Sequence, residues 1–176
     1  HDVMAGYGVM ATEIREQAEA AGHPRPTHVF VPAGVGGLAA AMAAGLAGWM
    51  AAPGCVVAVE PERAACLAAA LAADRPVRVS GDLNTSAEML SCGEASAPAI
   101  TLLRRHNAQV MTVSERKLVT APDILAAHGG PLTTPSGAAS LAGALTARRD
   151  ASEAQDLGLG ADSRLLILIT EGALAL

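Results

Sequence analysis

Apolar and polar positions alternate along this chain in two rhythms, one near 3.6 residues and one of short β-branched runs. Met10, Ile14 and Ala18 recur at helical spacing while Glu13, Arg15, Glu16 and Gln17 mostly take the other side, which predicts a helix over Met10–Ala21. Gly22 ends it, and His23-Pro24-Arg25-Pro26 cannot continue it, because proline has no amide to donate. Thr27–Pro32 (THVFVP) reads as a short strand that closes on the loop Ala33-Gly34-Val35-Gly36-Gly37. An alanine-rich helix, buried on most sides, is expected over Leu38–Ala51. Val56–Glu60 (VVAVE) is a second strand, with Pro61 at a favoured first-turn position of a helix reaching about Ala73.

Beyond that point the pattern loosens. Pro76–Ser80 reads as a short strand and Ser80–Ser96 as mixed loop and helix. Ala97–His106 is a helix and Gln109–Val113 (QVMTV) a third strand; Ser114 caps a helix with Lys117 in its first turn, and Pro122 restarts it toward His128. After the break at Gly129-Gly130-Pro131, Ser136 opens a small-residue helix to Arg149. Leu165–Thr170 (LLILIT) is continuously apolar, as expected of a strand in the middle of a parallel sheet. The alternation of strands and helices predicts an α/β fold, a mainly parallel sheet flanked by helices, in a single domain over residues 1–176.

Composition narrows the function. With 51% hydrophobic residues and a mean hydropathy of +0.35, the chain is neither a disordered segment nor a charged tail. A net charge of −5 and only 2% aromatic residues exclude the basic footprint and the stacking platform of a nucleic-acid binder. Cys55, Cys66 and Cys92 stand far apart without ligand spacing, which predicts buried thiols in a reducing cytosol rather than disulfides or zinc. His1, His23, His28, His106 and His128 show no spacing for a triad or metal, and His28, inside a strand, reads as a packed imidazole. The apolar stretch Leu38–Ala52 is too short to cross a bilayer, and no signal peptide is recognisable, so a cytoplasmic protein is expected. The chain begins with His1 rather than Met, which suggests that something upstream has been removed.

The strongest chemical feature is the glycine loop. A strand, a glycine-rich turn and a small-residue helix bring unpaired backbone N–H groups and a partial positive charge to one point, which suits a phosphate. Gly34, Gly36 and Gly37 stand where that geometry needs them. Two readings of the loop follow from the residues alone. Gly34, Gly36 and Ala39 also fit the G-x-G-x-x-A fingerprint of an NAD(P)-binding Rossmann domain, with Glu60 as the acid for the ribose hydroxyls. A non-catalytic interaction module would leave the loop empty.

The third reading comes from resemblance. Met4-Ala5-Gly6-Tyr7-Gly8-Val9-Met10-Ala11-Thr12-Glu13-Ile14 resembles the segment that opens a large-domain helix in fold-type II pyridoxal-phosphate enzymes, the threonine dehydratase group. Ala33-Gly34-Val35-Gly36-Gly37-Leu38 is similar to that family's loop, and Val56-Ala58-Val59-Glu60-Pro61 to its next strand. Leu90-Ser91-Cys92-Gly93-Glu94, the stretch from Leu102 to Ser114, and Ile169-Thr170-Glu171-Gly172 look most like the 2,3-diaminopropionate ammonia-lyase branch. The likeness covers nearly the whole chain and implies the major part of the large domain of a tryptophan synthase beta-like enzyme.

What the resemblance implies is specific. Gly34, Val35, Gly36, Gly37 and Leu38 would hold the phosphate of pyridoxal 5′-phosphate through backbone N–H groups. Ser136, in Thr134-Pro135-Ser136-Gly137-Ala138, would face the pyridine nitrogen. The residues alone also allow Ser136 to be a plain N-cap. Glu94 is carried over as a substrate contact, beside the alternative of a solvated loop carboxylate. The family's Schiff-base lysine precedes its glycine loop, whereas the only lysine here is Lys117, in a charged turn. No residue of this chain is therefore assigned as the catalytic nucleophile, which is expected upstream. The chain reads as the C-terminal half of a bacterial lyase acting on a small amino acid (2,3-diaminopropionate first, threonine or serine next). It is expected to pair with the missing N-terminal half, to form a homodimer, and to be inactive alone.

Overall fold

A computed structural model describes residues 2–172, with side chains from Gly6 onward. Helix α1 (Asp2–Ala20) leads to strand β1 (His28–Pro32), helix α2 (Gly37–Leu46) and strand β2 (Cys55–Pro61). Helices α3 (Cys66–Ala73) and α4 (Ala97–Arg105) precede strand β3 (Gln109–Val113). Helices α5 (Glu115–Ala127), α6 (Ala139–Arg149) and α7 (Ala151–Asp156) then lead to strand β4 (Leu165–Ile167). The strands form one parallel sheet in the order β3-β2-β1-β4. The expected α/β architecture is present.

Strand periodicity divides the core in two. Val29, Val31, Val56 and Ala58 point toward α1–α4, where they pack with Met42, Leu46, Leu67 and Leu103. Phe30, Val57, Val59, Met111 and Val113 point the other way, onto Leu118 and the alanines of α6. Alanine-rich helices come close to the sheet, so small residues build this core by proximity rather than bulk. His28 is fully buried at the start of β1; its Nε2–H donates to the Leu157 carbonyl and its Nδ1 pairs with the Thr27 hydroxyl at 2.8 Å.

Several sequence expectations are corrected. Leu165–Thr170 is not a central strand: β4 has three residues, pairs only with β1 and lies at the edge, with Leu165 37% exposed. The last bond to β1 is the Leu168 N–H to the Phe30 carbonyl at 3.1 Å; beyond it the backbone bonds elsewhere, Ser140 donating to the Leu168 carbonyl and Thr170 N–H to the Gly137 carbonyl. Pro61 ends β2 and precedes a 3-10 turn (Glu62–Ala64); it does not start α3. Pro76–Ser80 forms no strand and contributes a single antiparallel bridge, Arg78 to Glu94. Helix α1 begins well before Met10, α2 ends at Leu46 rather than Ala51, and α5 runs through Pro122 without restarting. Helix α7 was unforeseen, although Asp150 caps it by accepting from Ser152 N–H and Glu153 N–H at 3.0 and 3.3 Å. Among the described residues no helix is long and apolar enough to cross a membrane.

Candidate functional site

The loop between β1 and α2 leaves the sheet at the carboxyl end of a parallel strand, where α/β folds place ligands. Ala33 is tied back to β2 through its N–H and the Val59 carbonyl at 2.9 Å, so the chain turns sharply over the sheet edge. Gly36 then adopts φ 91°, ψ 0°, a left-handed conformation that costs an L-residue about 1–2 kcal/mol. A Cβ there would stand 3.0 Å from Leu67 Cδ1 and 3.3 Å from Ala99 Cβ. Helix α2 begins with no side-chain cap and no acidic residue in its first turn. Its first N–H groups therefore face outward with the positive end of the helix dipole behind them.

These groups face a cleft of about 420 Å³ lined by the whole run Ala33–Leu38. Tyr7 and Met10 from α1 form one wall, and Met89, Leu90 and Cys92 a second. Thr170 and Glu171 close the end nearest Ser136. Gly34, Val35, Gly36, Gly37 and Leu38, all expected at the site, are together in this cleft. The donor set fits a phosphate: it is backbone, convergent and free of carboxylates in the loop itself.

Ser136 lies one layer behind. It is 3% exposed, and its Oγ accepts the Met89 N–H at 3.1 Å. Helix α6 starts later, at Ala139, with Ala138 at the N-cap position, so Ser136 is not the helix cap that its sequence position allowed. Its acceptor role is filled, and among the described residues its O–H has no acceptor, which leaves a hydroxyl donor beside the cleft wall. Thr134 and Glu171 brace this segment: Thr134 Oγ1 donates to the Glu171 carboxylate and accepts the Gly137 N–H at 3.0 Å.

Glu94 is placed elsewhere than expected. It is exposed, its backbone bridges to Arg78, and it does not line the cleft. Cys92, two residues earlier, takes the wall position, and a Cβ on Gly34 would lie 2.9 Å from its Sγ. Lys117 is exposed on α5 and borders a separate groove with Arg149 and Asp150, so it does not serve the cleft. The ribose role of Glu60 is also ruled out. That side chain is fully buried, and its carboxylate accepts the N–H groups of Leu67 and Ala68 at 2.6 and 2.9 Å, so no nucleotide can reach it.

The segment carrying Met89 and Leu90 is fixed from α5. Glu115 Oε2 accepts the Ser86 N–H at 2.8 Å and the Ser86 hydroxyl at 2.9 Å. Partial burial opposes the Glu115 charge, but the Ser86 N–H and the Thr85 and Ser86 hydroxyls outweigh it and hold the carboxyl below its usual range. Cys55, Cys66 and Cys92 are free thiols, but only Cys66 is buried; Cys55 and Cys92 are half-buried, where burial of all three was expected. Tyr7, Met10, Met89, Leu90, Cys92, Thr170 and Glu171 escaped the sequence reading as site residues. The available signal was the resemblance of the stretches that contain Tyr7, Met10, Leu90, Cys92, Thr170 and Glu171; Met89 carried none.

Residues 1–171 match the model of the family described as "Pyridoxal-phosphate dependent enzyme". The chain belongs to this family. Among its relatives, the diaminopropionate ammonia-lyase of Escherichia coli is 31% identical over 183 residues, covering 97% of this chain and 44% of that protein. A biosynthetic L-threonine dehydratase of Mycobacterium leprae is 35% identical over 145 residues, covering 81% of this chain and 33% of the relative. A crystal structure of the Escherichia coli diaminopropionate ammonia-lyase superposes with a TM-score of 0.82 at 26% identity, covering 97% of this chain and 45% of that one. The fold is that of fold-type II pyridoxal-phosphate enzymes, and the family's cofactor is pyridoxal phosphate. The chain spans under half the length of the relatives named here.

Proposed function

We propose that this chain supplies the cofactor-phosphate cup of a lyase that eliminates ammonia or water from a small amino acid. The observation that carries the reading is the uncapped, acid-free N-terminus of α2, turned by left-handed Gly36 toward the cleft. Gly34 to Leu38 hold the phosphate by backbone N–H groups, and Ser136 offers its hydroxyl to the ring nitrogen. When bound, pyridoxal phosphate acts as an electron sink for carbon acids. A neutral hydroxyl at Ser136 does not hold the ring nitrogen protonated, so the sink is weaker, which suits elimination, where the leaving group departs as the Cα proton is lost. Met89 and Leu90 shield the cleft from water on one side, and Tyr7 and Met10 on the other.

The substrate favoured is 2,3-diaminopropionate, supported by the ammonia-lyase relative that matches 97% of the chain, with threonine and serine next. Lys117 stands away from the cleft, so the amine that the chemistry needs comes from outside this chain. The working enzyme is then a cytoplasmic homodimer in which the lysine-bearing half completes the site. Two measurements test this. The chain should bind pyridoxamine 5′-phosphate much more tightly than pyridoxamine, and Gly36→Val should abolish the difference; equal binding, or a harmless substitution, would favour the non-catalytic module. Supplied with pyridoxal phosphate and each amino acid, the chain alone should release no ammonia, and turnover would refute the assignment of the lysine.

A further inference from the structure

Glu60 remains unexplained by the proposed chemistry, yet it is the most deeply buried carboxylate described. On β2 it shares the face of Val56 and Ala58, toward α1–α4. A buried charge persists only with partners. Here they are the first-turn amides of α3, Leu67 N–H to Oε1 at 2.6 Å and Ala68 N–H to Oε2 at 2.9 Å. That same turn touches the cup at two points. The Cys66 thiol donates to the Gly34 carbonyl at 3.5 Å, and Leu67 Cδ1 lies 3.0 Å from the place of a Cβ on Gly36. One continuous set of contacts therefore runs from the carboxylate, through the start of α3, to the two glycines that shape the phosphate site.

We propose that Glu60 is a positioning residue for the phosphate cup: by holding both first-turn amides of α3 it sets where Cys66 and Leu67 pin Gly34 and Gly36. The inference rests on the cofactor reading above. An ionised carboxylate accepts at both oxygens, whereas a protonated one turns a hydrogen toward one of the two amides and loses that bond. Burial, opposed by the Leu67 and Ala68 amides and by the Cys66 thiol, pushes the Glu60 carboxyl up to about 7. The other titratable groups facing it are thiols. Burial, reinforced by the Glu60 charge, pushes Cys66 up to about 12 and also raises Cys92, so both stay neutral while Glu60 titrates. Ionisation of Glu60 thus tightens the cup as pH rises through neutrality.

Two readouts test this in the chain itself. In ligand-free protein, the backbone amide NMR signals of Gly36 and Gly37 should step with a midpoint near pH 7, and Glu60→Gln, which can accept at one oxygen only, should remove the step. Binding is followed with pyridoxamine 5′-phosphate, whose amine forms no Schiff base with Lys117. The wild-type to Glu60→Gln affinity ratio should be about tenfold at pH 8, one charge-assisted hydrogen bond, and approach one below pH 6. Taking the ratio cancels the ionisation of the phosphate itself, whose second pKa is about 6. Leu67→Ala keeps both bonds to Glu60, which are made by backbone, and should weaken binding at every pH without moving the midpoint. A flat ratio, or a Gly36 signal indifferent to pH, overturns the positioning role while leaving the cup intact. If wild type does not prefer the phosphorylated probe at all, the cup reading fails and this role falls with it. Should Glu60→Gln fail to fold, the wild-type NMR titration and Leu67→Ala still decide.

Discussion

Replacing Gly36 by alanine adds one methyl group and tests the loop's two demands together. The first is conformational: at φ 91° an L-residue costs about 1–2 kcal/mol more than glycine. The second is steric. The new Cβ would stand 3.0 Å from Leu67 Cδ1 and 3.3 Å from Ala99 Cβ, and such overpacking costs about 1–3 kcal/mol. Restriction of the unfolded chain returns only about 0.4–1 kcal/mol. The expected net destabilisation is therefore roughly 2–3 kcal/mol, read as a shift of the urea midpoint at constant slope. A second background separates the terms. In a Leu67→Ala chain the crowding is relieved, and the conformational cost less the same unfolded-chain term remains, so Gly36→Ala should cost about 1 kcal/mol there. Equal costs in the two backgrounds would remove Leu67 from the argument. A wild-type cost under about 0.5 kcal/mol would mean that the loop does not hold this geometry.

Three further outcomes are expected. Because the folded-state pKa of Glu60 lies near 7 against an ordinary 4.5, its stabilising contribution is complete below pH 4.5 and is lost as pH rises through 7. The unfolding free energy of wild type should fall by about 3 kcal/mol over that window relative to Glu60→Gln, and parallel pH profiles would refute it. Gly143→Ala puts a Cβ 2.6 Å from Val59 Cγ2 and 3.2 Å from Met111 Sδ; despite about 1 kcal/mol of gained helix propensity it should lower the thermal midpoint, and an unchanged or raised midpoint would show that α6 can move off the sheet. Ser136→Ala should cost about 1–3 kcal/mol by leaving the Met89 N–H without its acceptor, checked by denaturation and by the exchange rate of that amide.

What the sequence disclosed follows from how locally each feature is determined. THVFVP, VVAVE and QVMTV carry β-branched runs bounded by turn residues, and all three became strands within a residue or two. The glycine loop was legible for the same reason: strand, turn and helix are contiguous, so the anion geometry is written in one stretch. Apolarity in LLILIT marks burial and not pairing: past Ile167 only Leu168 is buried, in the core facing α1–α4, while its carbonyl and the Thr170 N–H bond Ser140 and Gly137 rather than a neighbouring strand. The other cleft walls were hidden because Tyr7, Met89 and Thr170 are separated by the length of the chain and meet only after folding. The alternative ribose role of Glu60 rests on its spacing from the glycines and its place at a strand end. Only the packed structure shows that α3 returns to cover it.

A phosphate held by main-chain amides is recognised by the path of the backbone and not by the identity of side chains. Val35 projects outward and is 46% exposed, so exchanging it for most other residues would leave the amide positions unchanged. Val35→Ala would consequently register almost nothing, and a scan of side chains would understate the proposed phosphate loop. The amides themselves do not titrate, since an N–H carries its dipole at any pH, so pH reaches the loop only through Glu60 behind it. Backbone recognition also hides the proposed cup from any search for basic residues, because among the described residues no lysine or arginine lines the cleft.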